Sequence, residues 1–202
     1  LVLEADEWYK SFLNYSPSIS SITNIDAEHL DTYKTAAGVE KAFAEYLSKV
    51  PADGAIIANA DDERTARVGK KFGARVRWYT RDSGDAAVIK KILQVPGEHN
   101  LSNALAAQAV GRVLGIPETA ILQALARFRG TWRRFEFKGM LNDAFLFNDY
   151  GRHPREIAAT LQAARERFPW HRIWCVFQPH QYQRLRYLWD DFESAFDLAD
   201  RV

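Results

Sequence analysis

FRGTWRRFEFKGMLNDAFLFNDYGRHP, running from Phe128 to Pro154, is the stretch on which the fold turns. Phe128-Arg129-Gly130 closes a helical pattern, and Gly130 suits a helix stop or hinge because glycine reaches backbone angles closed to other residues. Arg133 and Arg134 follow at once. Two short apolar runs come next, 135–140 and 144–147, with the turn-like Leu141-Asn142-Asp143 between them, so the stretch reads as a β-hairpin. The second run empties into Asn148-Asp149-Tyr150-Gly151-Arg152-His153-Pro154, a polar loop whose proline is pre-set for the first turn of a helix. Guanidinium forks on one side and a carboxylate at a strand end on the other suit a phosphate and its metal. A surface arginine pair beside an ordinary strand-to-helix turn has the same composition, and the spacing alone leaves both readings open.

On either side of this stretch, strand and helix patterns alternate. Towards the N-terminus, residues 1–3 form an apolar run that reads as a buried strand and ends in Glu4-Ala5-Asp6-Glu7. Residues 19–25 are a second β-rich run, ending in Asp26-Ala27-Glu28-His29-Leu30-Asp31. A helix is expected over 36–47, with Val39, Phe43, Tyr46 and Leu47 on one face. Strands follow at 54–58 and 75–79, with a helix over 65–72 closed by Gly73 and a weaker fifth strand at 86–93. The loop 95–100 runs into a helix over 101–114, Gly115-Ile116-Pro117 breaks it, and a second helix covers 118–128. Beyond the hairpin, helices are expected over 154–168 and 182–196, with a strand at 172–177. The pattern is that of an α/β chain with a mainly parallel sheet over residues 1–130 and a second α/β unit over 131–202.

Composition narrows the function classes. A net charge of +1 gives no electrostatic case for general nucleic-acid or membrane binding. Cys175 is the one cysteine, so an intrachain disulfide is excluded, which fits a reducing compartment. No apolar run approaches the length of a membrane span. The chain opens without an initiator methionine and stops where a strand is about to begin, so it reads as an internal fragment.

Four places carry residues suited to chemistry. Glu4 and His29, each at a strand's C-terminal end, suit a shared cation, although imidazole is a less usual ligand for so hard an ion as Mg²⁺. His99, Asn100 and Asn103 open a helix, and an Asn amide matches an adenine edge. Arg134 and Asp149 flank the hairpin. His153 sits in the polar loop, while His180 and Arg184 follow a strand end at Phe177-Gln178-Pro179-His180. Each has a plainer reading: solvated strand ends, an Asn cap, a surface pair and a basic helix face.

GTWRRFEFKG…NDYGRHPREI resembles the junction between the central and C-terminal domains of the Mur ligases, whose pattern is G-x-x-R-R-F-(E/D)-x-x-G followed by D-D-Y-(A/G)-H-H-P-T-E-(I/V). EADE with NIDAEHLD, PGEHNLSNALAA and FQPHQYQRLR match further family segments in the same order. The resemblance implies a central ATP-binding domain over 1–130, without its phosphate-binding loop, and the start of a Rossmann-like C-terminal domain over 131–202. It implies that Glu4 and His29 bind a catalytic Mg²⁺, and that His99, Asn100 and Asn103 hold the adenine and ribose of ATP. Arg134 and Asp149 would meet the nucleotide, and His153, His180 and Arg184 the substrate. The activity implied is cytoplasmic, ATP- and Mg²⁺-dependent amide-bond formation in peptidoglycan synthesis, joining L-alanine to UDP-N-acetylmuramate through an acyl phosphate. A recycling ligase that attaches a tripeptide, and a non-catalytic nucleotide-binding remnant, are the alternatives. Absent any Gly-rich phosphate loop, the 202 residues alone are expected to be inactive.

The chain departs from the family pattern at several points. Trp8-Tyr9-Lys10 replaces S-D-(G/A), Asn148 replaces the first Asp of D-D-Y, Arg152 the first His of H-H-P, and Arg155 its Thr. Gln181 replaces the first Arg of P-H-R, and an amide cannot pair with a carboxylate as a guanidinium fork does.

Overall fold

The computed structural model describes all residues 1–202, in two compact units: 1–91 with 102–123, and 92–101 with 124–202. No helix is long and apolar enough to cross a membrane.

The first unit is built on a three-stranded parallel sheet of order β1-β2-β3, with β1 Ile19–Ile22, β2 Ala55–Asn59 and β3 Val76–Tyr79. Ile19 pairs with Ala55, and Ile56 with Val76. Every residue of the central strand β2 is buried, as expected for a strand covered on both faces. Ile56 and Ala58 share one face with a core of Phe12, Ile22, Ile25, Val39, Leu47 and Val68. The short helix α1 (Leu30–Tyr33) leads to α2 (Ala36–Ser48), which starts where Thr35 accepts a hydrogen bond from the Gly38 N–H at 3.1 Å. Its buried positions Val39, Ala42, Tyr46 and Leu47 follow helical spacing. The helix α3 (Glu63–Gly69) is capped by Asp62 and gives way to a 3-10 turn, Lys70–Arg75, in which Gly73 takes φ 54°. The helix α4 is Gly84–Ile92, α5 is Glu98–Val113 and α6 is Glu118–Arg127. Gly111 of α5 is needed for close packing, since a Cβ there would lie 2.7 Å from Ile121 Cδ1.

The second unit holds the expected hairpin, β4 (Glu136–Leu141) antiparallel to β5 (Ala144–Asn148), with Asn142 in the left-handed region at its turn. The helix α7 (Pro154–Arg167) begins with a capping box: His153 accepts a bond from the backbone, and Glu156 reaches back to the His153 N–H. The helices α8 (Tyr182–Tyr187) and α9 (Trp189–Ala195) follow. Ile157, Leu161, Phe192 and Ala195 form the buried core, packed by Ile173, Cys175 and Phe177.

Four expectations are corrected. Residues 1–3 are not a strand but exposed chain without regular structure, and they make none of the ladder bonds that would hold one. Residues 86–92 are helical, within α4. Ser83 Oγ accepts from the Ala86 N–H at 3.3 Å, Asp85 lies in the first turn, and Ala86 and Ile89 are buried at i, i+3 spacing while Val88 is exposed. The strand at 172–177 is reduced to a single parallel bridge, Trp174 to Arg201, although Ile173, Cys175 and Phe177 alternate inward as a strand requires. The helix over 182–196 is broken at Leu188, whose φ of −116° is not helical.

Candidate functional site

Within the first unit, three stretches converge on His29. The 3-10 turn Trp8–Asn14 is anchored by Phe12, which is 1% exposed and whose N–H donates to the Asp6 carbonyl at 2.9 Å. The Tyr33 hydroxyl donates to the Glu7 carbonyl, tying the same loop to α1. The approach from β1 is held by Asn59 Nδ2, which donates to the Thr23 carbonyl at 2.8 Å, and by the fully buried Ile25. His29 itself takes φ 52°. In this arrangement His29 Nε2 lies 3.6 Å from Glu7 Oε1 and 3.6 Å from Glu28 Oε2. Ligand atoms of Asp6, Glu7 and His29 all fall within 4.8 Å of one another.

Burial raises the Glu7 carboxyl above its usual range, against the opposing pull of its own backbone hydrogen bond and of His29, and Asp6 and Glu28 add to the rise. A divalent cation relieves that repulsion, and carboxylate oxygens suit a hard ion, so the donor set fits Mg²⁺. Glu4 is exposed and is not among the side chains gathered at His29. The carboxylates that the structure brings to the imidazole are those of Glu7, Asp6 and Glu28. Residues 1–3 form no strand, so Glu4 does not stand at a strand end beside β1 as expected, and it is not among the side chains whose ligand atoms lie within 4.8 Å of one another at His29.

In the second unit the loop after β5 collects cations. The Tyr150 ring has the Arg152 guanidinium 3.8 Å from its centroid, Arg133 at 4.6 Å and Arg134 at 5.8 Å. Arg134 pairs with Glu156 at 3.2 Å and stays half exposed. Burial alone would raise the Glu156 carboxyl, but the Arg152 and His153 N–H groups and the Arg134 charge hold it below the usual range. Asp149 accepts from the Phe135 N–H at 2.8 Å and from the Gly151 N–H at 2.6 Å, so it braces the loop across the hairpin. His153 is buried, with Nδ1 accepting from the Arg155 N–H at 3.2 Å; its observed part is that of a helix cap. His180 is exposed, with Nδ1 3.3 Å from Arg152 Nη1, and Arg184 Nη1 lies 3.5 Å from the His180 carbonyl oxygen.

His99 also belongs to this second unit. Burial and the Arg134 charge lower its imidazole pKa against the pull of Asp149 and Glu166, and its buried Nδ1 has no hydrogen-bond partner. Gly97, at φ 99°, leaves room for the His99 ring, which a Cβ would meet at 2.7 Å. Asn100 Nδ2 donates to the Pro96 carbonyl at 2.6 Å, and Asn103 is exposed on α5.

Residues 3–94 match the model of the Mur ligase middle domain, and residues 133–202 that of the Mur ligase glutamate ligase domain. The chain belongs to the Mur ligase family. Over its whole length it is 41% identical to the UDP-N-acetylmuramate–L-alanine ligase of Clostridium acetobutylicum, covering 48% of that protein. It is 39% identical to the same-named ligase of Bdellovibrio bacteriovorus, covering 50%. This Mur ligase chain thus spans about half the length of the curated relatives it matches. Among solved structures, the UDP-N-acetylmuramate–alanine ligase of Thermotoga maritima superposes with TM-score 0.70 at 28% identity, over 95% of this chain and 46% of that one. A pseudomurein peptide ligase of Methanothermus fervidus shares the fold at TM-score 0.70 and 16% identity, over 95% and 49%.

Sequence reasoning missed two features of these sites. Glu7 was read as part of the acidic segment but not as the partner of His29; the signal was Phe12, whose burial fixes how the loop folds back. The stacking of three arginines on Tyr150 left no trace in spacing, because it depends on φ 58° at Arg133 and 46° at Phe135.

Proposed function

We propose that this chain is the nucleotide-handling part of a cytoplasmic, ATP- and Mg²⁺-dependent ligase that joins L-alanine to UDP-N-acetylmuramate in peptidoglycan synthesis. The observation that carries the reading is the match to UDP-N-acetylmuramate–L-alanine ligases along the entire chain at 41% identity. The gathering of Asp6, Glu7 and His29 supports it. In this reading the sugar nucleotide's carboxylate takes the γ-phosphoryl group of ATP, and the amine of L-alanine then displaces phosphate from the acyl phosphate.

Asp6, Glu7 and His29 would hold Mg²⁺, which when bound neutralises phosphate charge. Glu4 is the resemblance's candidate for the same ion and serves as the comparison in the test below. Arg134, released from Glu156, would meet the phosphates, where a positioned cation stabilises charge that develops in the transition state. Asp149 holds the hairpin and the loop in register and would lie near the nucleotide. His99, kept neutral by burial, would meet adenine with Asn100 and Asn103. His153, His180 and Arg184 would face the substrate.

The test is phosphate release by the protein that carries this chain, with ATP, Mg²⁺, UDP-N-acetylmuramate and L-alanine. Release that depends on L-alanine is the expected result. Release that depends on a tripeptide instead would assign the recycling reaction, and no substrate-dependent release would leave a nucleotide-binding remnant.

A further inference from the structure

Asp149, Arg134 and Glu166 are the charged groups that act on the His99 ring, and the reading above gives no part to Glu166. Glu166 is exposed on α7, and its carboxylate accepts from the buried Gly97 N–H at 3.1 Å. One turn back on the same face of the helix stands the fully buried Ala163, whose Cβ would lie 2.9 Å from a Cβ at Gly97. The same added Cβ would lie 2.9 Å from His99 Nδ1, so ring and helix both pack on the bare Gly97 Cα. The Gly97 carbonyl in turn accepts from the Asn100 N–H at 3.0 Å and the Leu101 N–H at 3.2 Å, which starts α5. Gly97 is thus tied to α7 by its N–H, and His99 and Asn100 are set by its carbonyl and its Cα. Residues 92–101 and α7 belong to the same unit.

We infer that Glu166 is a positioning residue for the adenine site: through Gly97 it sets where the His99 ring and the start of α5 stand. Gly97, at φ 99°, has no side chain to hold it, so its place depends on what its backbone bonds to. A buried backbone N–H without an acceptor is costly, and Glu166 is the acceptor that the chain supplies. The carboxylate also stands at the N-terminal end of a 16-residue helix, where negative charge is favourable. With Nδ1 buried against Gly97, Nε2 is the His99 nitrogen left for a ligand, so a shift of Gly97 turns the ring away from that ligand. The identity of the ligand rests on the ligase reading above; the tie between Glu166 and Gly97 does not.

The experiment measures ATP and GTP binding to the protein that carries this chain by titration calorimetry, with hydrogen exchange of the Gly97 amide followed alongside. Glu166→Ala should weaken ATP binding by about three- to tenfold, up to the scale of one hydrogen bond to a charged group. GTP should lose less, so the preference for ATP falls. Exchange at Gly97 should quicken by about tenfold or more. Glu166→Gln keeps an acceptor oxygen and should restore both readings. In a His99→Ala background, Glu166→Ala should add no further loss of ATP binding, whereas a merely structural role would add its loss again. Gln162→Ala, on an exposed position of α7, is the control expected to bind as the parent does. Unchanged ATP binding in Glu166→Ala beside a loss in His99→Ala would overturn the inference and leave the adenine reading standing. Unchanged binding in His99→Ala would overturn both. Additive losses in the double variant, or a glutamine variant as weak as the alanine one, would overturn the action through Gly97.

Discussion

The loop around His29 and the loop around Tyr150 both crowd like charges together, and they do so by different means. At His29 the charges are on short side chains, so the backbone has to bend to bring them close: Tyr9, Lys10, His29 and Lys34 all take positive φ. The bent loop is then locked to the core by Phe12. At Tyr150 the charges are on guanidinium groups with long stems, which converge on one ring, and the backbone bends only next to the arginine pair, with positive φ at Arg133 and Phe135. In the proposed reading the first loop would take a cation and the second an anion. Carboxylates have to be held against their own repulsion before an ion arrives, whereas arginines can exchange one partner for another.

If the Tyr150 loop works by exchange, the largest effect belongs to Arg134. In the active protein Arg134→Ala should lower kcat by about 10²–10³, the scale of losing one charge-stabilising donor. Arg133→Ala should cost less, since its guanidinium is spent on Trp132 and Tyr150. Equal, small losses for both would mark an ordinary surface pair and break the comparison on this side.

The partner that Arg134 leaves is the next lever. Glu156→Gln removes a capping carboxylate, and urea unfolding should show a loss of about 1–2 kcal/mol in the second unit. The sign with pH follows from its lowered pKa. The stabilisation is complete above the ordinary value of 4.5 and is lost as pH falls through the lower folded value. Unfolding followed from pH 6 downward should therefore show a shallower acid loss in Glu156→Gln than in the parent. An identical acid limb would mean that other carboxylates dominate.

The bent loop offers a smaller effect of opposite sign. Lys10 sits at φ 59°, at the position where the family pattern has glycine or alanine. Left-handed backbone costs an L-residue about 1–2 kcal/mol, and glycine gives back part of that gain in chain entropy. Lys10→Gly should raise stability by about 0.5 kcal/mol, read as a higher urea midpoint. A loss on that substitution would mean that the lysine side chain, not the backbone, holds the loop.

The sequence made the parallel sheet legible because Ala55–Ala58 of β2 is an unbroken apolar run and the segments 19–25 and 75–79 carry the β-branched and aromatic residues of strands. The hairpin was legible because Leu141-Asn142-Asp143 separates two apolar runs. Hydrophobic pattern was ambiguous at 86–93, where Val88-Ile89 favours a strand, and the Ser83 cap with Asp85 decides for helix. At 172–177 the alternation was read correctly, but alternation says only which face is buried, not how many neighbours a strand has. The cluster at His29 was half legible: His29 was singled out by its position after the β-rich run 19–25. Its carboxylate partner depended on a reversal at Tyr9 and Lys10, where residue types argue against positive φ, so no propensity rule pointed to Glu7.

That partner is also where the account is most exposed. Mn²⁺, as a spectroscopic stand-in for Mg²⁺, can be titrated into residues 1–202 and the free ion followed by electron paramagnetic resonance. The variants compared are Glu7→Ala, Glu4→Ala and His29→Ala. The account predicts one site whose affinity falls by about 10-fold or more in Glu7→Ala and His29→Ala, at least the loss seen on removing an outer-shell partner, and stays near the parent's in Glu4→Ala. Loss of binding in Glu4→Ala with Glu7→Ala unaffected would contradict it.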